Sequence, residues 1–98
     1  MQDSFKRNFQ DTGNSSSLLI VDNNTYLRTS LRQQFITEGF HNVFEVGSVT
    51  GLNAALKDAN PDLILLDILM PDCNGVEICK SLRIDGFTKP IIMMIGKN

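Results

Sequence analysis

Asp62-Leu63-Ile64-Leu65-Leu66-Asp67 decides how the rest of the chain is read. Four consecutive apolar residues closed at both ends by an acid are too few for a buried helix. They read as a short strand buried on both faces, with a carboxylate at its exit. The same form occurs upstream in Leu18-Leu19-Ile20-Val21-Asp22 and, without the acid, downstream in Ile91-Ile92-Met93-Met94-Ile95. Val43-Phe44-Glu45-Val46 is a further, more polar strand.

Between these runs the apolar residues change to helical spacing. Thr25 to Glu38 carries Leu27, Leu31, Gln34 and Phe35 on one face, with Gly39 as its stop. Leu52, Ala55, Leu56 and Ala59 face inward from a second helix; Ser48 is its candidate cap and Asn60-Pro61 its end. Ile68 to Gly75 is a loop containing Pro71. A third helix runs from Val76 to Ile84, with Val76, Cys79 and Leu82 inward and Asp85-Gly86 at its end. The order β-α-β-α-β-α-β predicts an α/β fold: a doubly wound parallel sheet with right-handed crossovers.

In such sheets ligands bind beyond the carboxyl ends of the strands. Asp22-Asn23, Asp67 and Ile95-Gly96 are therefore the positions to inspect. If the strands ending in Asp22 and Asp67 are neighbours, their carboxylates converge, and converging carboxylates raise a pKa or recruit a cation. Mg²⁺ suits an all-oxygen site of one or two carboxylates with water and phosphate oxygens. A carboxylate there can act as a nucleophile towards phosphorus, giving an aspartyl phosphate.

Composition narrows the alternatives. The 98 residues suffice for one domain, with 42% hydrophobic and 20% charged residues. Nine Lys+Arg against eleven Asp+Glu, with no basic stripe, argue against a nucleic-acid binder. Cys73, Cys79 and the single His41 fall short of a zinc site and fit two reduced, partly buried thiols. No apolar run approaches a membrane span and no signal peptide opens the chain, so a cytoplasmic protein is expected. There is no G-x-G-x-x-G or Walker loop and no Ser/His/Asp constellation, which argues against an enzyme with turnover. Asp22-Asn23-Asn24-Thr25 is a poor flavin-phosphate cradle, and Tyr26, Phe40 and Phe44 read as packing residues. Residues 1–17 stand apart as a tail, either flexible or a short helix capped by Asp3 with Phe5 and Phe9 on one face. Residues 18–98 form the domain.

From Leu18 onward the chain resembles the receiver domain of two-component response regulators. Leu18-Leu19-Ile20-Val21-Asp22 resembles the family's first strand with its acidic end. Leu65-Leu66-Asp67-Ile68-Leu69-Met70-Pro71 followed by Gly75 resembles its phosphoacceptor segment, D-x-x-M-P-x-x-x-G. Lys89-Pro90-Ile91-Ile92-Met93 resembles the approach to its fourth strand. The resemblance implies a flavodoxin-like fold, phosphorelay signalling, and a histidine kinase or phosphotransfer protein as partner. It implies that Asp67 accepts the phosphoryl group, with Asp22, Asp67 and, weakly, Asn23 around Mg²⁺.

Three departures bear on that expectation. Asn23 stands where the family usually has a second acid and a direct metal ligand, so metal binding and transfer are expected to be weak. Ile95 stands where the family usually carries Thr or Ser, and it has no hydroxyl to meet a phosphoryl oxygen. The family's pocket Lys follows a fifth strand; Lys89 and Lys97 do not occupy that place. The sequence therefore reads as a receiver fold truncated after the fourth strand, with impaired phosphotransfer. The alternative is a degenerate receiver that acts as a phosphorylation-independent interaction or dimerisation module. An apolar fourth strand at a sheet edge predicts a homodimer, through edge pairing or a swapped element, unless Phe5 and Phe9 fold back over the bare face.

Overall fold

The computed structural model describes residues 16–71 and 73–95. Strands β1 (Ser17–Val21), β2 (Asn42–Val46), β3 (Leu63–Asp67) and β4 (Ile91–Met94) alternate with helices α1 (Thr25–Thr37), α2 (Leu52–Ala59) and α3 (Gly75–Ile84). The sheet order is β2-β1-β3-β4 and every pairing is parallel. The doubly wound layout expected from the apolar runs is thus present, and its two most buried strands lie side by side at the centre.

Burial follows from that placement. Leu18, Leu19, Ile20 and Val21 are fully buried, because β1 is flanked by β2 and β3 and covered on both faces. Alternate side chains feed two cores. Leu19, Val21, Ile64 and Leu66 pack with Leu52 of α2 and Ile78 and Leu82 of α3. Leu18, Ile20, Val43 and Leu65 pack with Leu31 and Phe35 of α1 and with Phe40, whose ring meets Phe35 edge-on at 5.6 Å between centroids. Edge strands β2 and β4 are less covered; Ile92 and Met93 of β4 are exposed.

Several local expectations are corrected. Ser48 does not cap α2; Gly51 is its N-cap and makes no side-chain capping bond. Ile78, not Val76, is the first fully inward apolar residue of α3, since the helix starts at Gly75 and Val76 turns to solvent. Tyr26 is not a packing residue: it is 90% exposed in the first turn of α1. Phe44 is exposed on the edge strand. The strand expected from Asp62 starts at Leu63, and the one expected to reach Ile95 ends at Met94. Gly39 ends α1 in a positive-φ conformation at φ 109°, as expected of a glycine stop. The tail readings at Asp3, Phe5 and Phe9 lie outside the described residues.

The loop from β3 to α3 is folded tightly against its own strand. Met70 is buried in the α2–α3 core, Leu69 and Asn74 form an isolated bridge, and Gly75 N–H donates to the Ile68 carbonyl at 2.7 Å. A Cβ at Gly75 would stand 2.5 Å from Ile68 Cα and 2.7 Å from the Asp67 carbonyl oxygen. Both are backbone atoms that cannot swing aside, so α3 must begin on a glycine. Gly75→Ala is expected to destabilise the domain by ~1–3 kcal/mol, as other overpacked sites do. Thermal unfolding checks it: each kcal/mol lowers the melting temperature by roughly 4–8 °C in a domain of this size.

Candidate functional site

Asp22 and Asp67 are the residues that follow the last paired apolar residues of β1 and β3. Val21 pairs with Leu66 in the parallel register, so the next residue on each strand is an aspartate at the same mouth of the sheet. The two carboxylates expected to converge do so on adjacent strands. Both residues are buried, at 2% and 6% exposure.

Each carboxylate is held by its own loop. Asn24 N–H donates to Asp22 Oδ1 at 2.8 Å. Leu69 N–H donates to Asp67 Oδ1 at 3.0 Å. These are the same Asx turn made twice, in which an aspartate accepts from the amide two residues on. The β1–α1 loop continues into a capped helix, because the Asn24 side chain accepts from Leu27 N–H at 3.1 Å. Asn74 caps α3 in the same way, accepting from Val76 N–H at 2.7 Å. Asn24 and Asn74 are N-caps absent from the sequence reading, and an asparagine directly before a helix start is the signal that marks them.

Burial drives the Asp22 pKa above its ordinary 3.8. The Asn24 amide opposes the rise, the nearby Asp67 charge adds to it, and the Arg28 guanidinium opposes it. Among the described residues, burial and the Asp67 charge thus outweigh the Asn24 amide and the Arg28 guanidinium at Asp22. No group of three His, Cys, Asp or Glu converges among the described residues. The oxygen-bearing side chains that could serve a cation at this mouth are the two buried carboxylates and the exposed Asn23 that directly follows Asp22. All-oxygen donors with two negative charges fit a hard cation such as Mg²⁺, which keeps several of its waters. The set carries one charge fewer than three carboxylates would.

The remaining positions fall as follows. Ile95 follows β4 at the same end of the sheet, is 72% exposed and offers no hydroxyl. Lys89 is at the other end: its Nζ meets Asp62 Oδ1 at 3.3 Å, and neighbouring Pro90 pairs with the start of β3. Lys97 lies outside the described residues. Arg28 is a residue that the sequence reading missed; its Nη1 donates to the Asp22 carbonyl at 2.7 Å. Cys73 and Cys79 are free and half-buried, and no described helix is long and apolar enough to cross a membrane.

Comparison with known proteins places this geometry. A family model described as the response regulator receiver domain matches residues 18–98. The chain is similar to the DNA-binding response regulator MtrA of Mycobacterium tuberculosis, at 35% identity over 80 residues, covering 82% of this chain and 34% of that protein. It is similar to the alkaline phosphatase synthesis transcriptional regulatory protein SphR of Synechococcus elongatus, at 32% identity over 92 residues, covering 86% and 36%. The chain thus spans about a third of the length of these curated relatives. Among solved structures, the N-terminal domain of a response regulator receiver protein from Methanoculleus marisnigri superposes with a TM-score of 0.75 at 26% identity, covering 85% of this chain and 68% of that one. The MaeR response regulator bound to beryllium trifluoride superposes with a TM-score of 0.76 at 24% identity, covering 85% and 69%, and shares the fold.

The raised Asp22 pKa has a definite consequence for stability. Between 3.8 and the raised value the folded chain holds more proton than the unfolded one, so stability falls as pH rises through that window. Above it, ionised Asp22 is a net cost. Asp22→Asn keeps an oxygen for the Asn24 amide and removes the charge. Metal-free Asp22→Asn is expected to melt above wild type at pH 7, with the difference fading as pH falls to 3.8. A variant that melts at or below wild type at pH 7 contradicts this.

Proposed function

The chain belongs to the response regulator receiver domain family of two-component signalling, a signalling module rather than a catalytic enzyme; from that premise we propose that Asp67 is its phosphoacceptor. The observation that carries the reading is the register of β1 and β3, which sets two buried carboxylates side by side at the mouth of the sheet. With Oδ1 of Asp67 engaged by the Leu69 amide, Oδ2 attacks the phosphorus of a phosphohistidine in line. The P–N bond breaks as the P–O bond forms, the imidazole leaves as the neutral base after taking up a proton, and Asp67 becomes a mixed carboxylic–phosphoric anhydride. Asp22, Asp67 and, weakly, Asn23 would hold Mg²⁺, which when bound would supply positive charge to the phosphoryl oxygens. The Asp22 turn, pinned by the Asn24 amide, keeps that carboxylate aimed at the mouth.

The donor is a histidine kinase or phosphotransfer protein in the cytoplasm. Exposed Tyr26, Leu69 and Ile95 belong to three different segments at the carboxyl end of the sheet, and they suit an apolar protein surface seated over the mouth. The substitutions that set this chain apart act at the same place. Asn23 contributes no charge to the metal set and Ile95 offers no hydrogen bond to a phosphoryl oxygen, so transfer is slow. Were Asp67 to remain unmodified under forcing conditions, the chain would instead be a degenerate receiver that works through contacts alone.

Incubation with Mg²⁺ and acetyl phosphate, followed by intact mass measurement, tests the phosphoacceptor. A phosphate-sized increase is expected in wild type and none in Asp67→Asn. An increase that survives in Asp67→Asn, or its absence in both, contradicts the assignment.

The chain as it stands also carries an apolar edge. On β4, Ile92 and Met93 are exposed and the strand pairs only with β3 among the described strands. This supports a homodimer formed by pairing of two β4 edges, or by a swapped element, since exposed apolar edges are sites of strand addition. Light scattering on the 98-residue chain is expected to give a mass above that of the monomer at tens of micromolar. A clean monomer there contradicts the dimer.

A further inference from the structure

Arg28 sits where three elements meet. It lies on α1, one helical turn beyond the loop that carries Asp22 and Asn23. Its Nη1 donates to the Asp22 carbonyl at 2.7 Å, and its Nε donates to Glu45 Oε1 on β2 at 3.1 Å. The side chain is 16% exposed, although an arginine head ordinarily reaches water. Opposite it, the chain leaving β2 passes at Gly47. A Cβ on Gly47 would stand 2.7 Å from Arg28 Nη1 and 3.3 Å from Cζ. Gly47 is not one of the positive-φ glycines, so its backbone does not require glycine. The space its missing side chain leaves is taken by the guanidinium.

The planar fork is suited to this task. One edge is fixed by a carboxylate and another by a carbonyl, a geometry that Lys, with a single ammonium, reproduces poorly. Arg32 offers a built-in comparison. It meets the same Glu45 at 3.7 Å and donates to the Val43 carbonyl at 3.2 Å, so its head is engaged with β2 rather than with the Asp22 turn.

We propose that Arg28 is a positioning residue for the acidic pocket: clamped between Glu45 and the glycine notch at Gly47, it fixes the Asp22 carbonyl and thereby the turn that aims the Asp22 carboxylate and presents Asn23. The inference deepens the phosphoacceptor reading and rests on it for its function, but its physical content is the placement of the turn. The Asn24 amide, bonded to Asp22 Oδ1, reports that placement without any metal.

The test uses the full chain and four variants: Arg28→Met, Arg28→Lys, Gly47→Ala and Arg32→Met, with melting temperatures taken alongside. In metal-free ¹H–¹⁵N spectra the Asn24 amide is expected to shift in Arg28→Met and in Gly47→Ala, and its hydrogen exchange to quicken roughly tenfold. Arg28→Lys restores neither fully. Arg32→Met leaves Asn24 unchanged whatever it does to the melting temperature. Gly47→Ala acts by expelling the guanidinium, so the Arg28→Met/Gly47→Ala pair should be no worse than Arg28→Met alone, a non-additivity that a double-mutant cycle reads directly. Titration with Mg²⁺ alone is expected to show affinity reduced by roughly tenfold or more in Arg28→Met, the usual effect of losing an outer support of a metal ligand. An Asn24 amide that is identical in Arg28→Met and wild type, one that moves equally in Arg32→Met, or additive effects of Arg28→Met and Gly47→Ala would each overturn the proposal. A wild type that takes up no Mg²⁺ counts against the phosphoacceptor reading, and the Asn24 amide still decides the positioning role.

Discussion

The parallel pairing of β1 with β3 is the constraint on which the rest depends. Because Val21 faces Leu66, the next residue on each chain segment is an aspartate at the same level, Asp22 just beyond β1 and Asp67 as the last residue of β3. A slip of one residue would send every side chain of one strand to the wrong face of the sheet. Here both faces are packed, with Leu19 and Val21 in one core and Leu18 and Ile20 in the other. Both cores are apolar, so patterning alone would tolerate the slip; close packing of particular shapes against α1, α2 and α3 holds the register.

Setting two carboxylates side by side in a buried mouth is unfavourable, and the loops around them are built to tolerate it. Each aspartate has one oxygen tied to the amide two residues on. Gly75 lets α3 start directly against the backbone of Asp67 and Ile68, and Met70 roots the intervening loop in the core. The D-x-x-M-P-x-x-x-G spacing thereby acquires a physical meaning: an acid at the mouth, an anchor below it, and a glycine where no Cβ fits. The cation that approaches this arrangement from within the described chain is Arg28, and it grips the Asp22 backbone rather than the carboxylates. That leaves the carboxylate oxygens available for a hard cation.

Much of this was legible in the sequence, because strand burial and strand ends are written in short apolar runs. Leu18–Val21 and Leu63–Leu66 announced the central strands, and the acids following them announced the mouth. What stayed hidden depends on angles rather than patterns. Val76 and Ile78 are equally apolar, and only the helix start at Gly75 decides which faces inward. Tyr26 reads as core by composition, yet its place in the first turn of α1 turns it to solvent. Arg28, Glu45 and Gly47 come from two distant segments, and nothing in their spacing declares that they touch.

The central claim is that Asp22, Asn23 and Asp67 form one weak, oxygen-only pocket. Calorimetric titration of Mg²⁺ into the metal-free chain tests it most directly, with Asp67→Asn and Asn23→Asp titrated alongside. Removing one of two charges should abolish binding, and restoring a third should tighten it. Weak saturable binding is expected in wild type, none in Asp67→Asn, and clearly tighter binding in Asn23→Asp. Equal affinity in wild type and Asp67→Asn would contradict it.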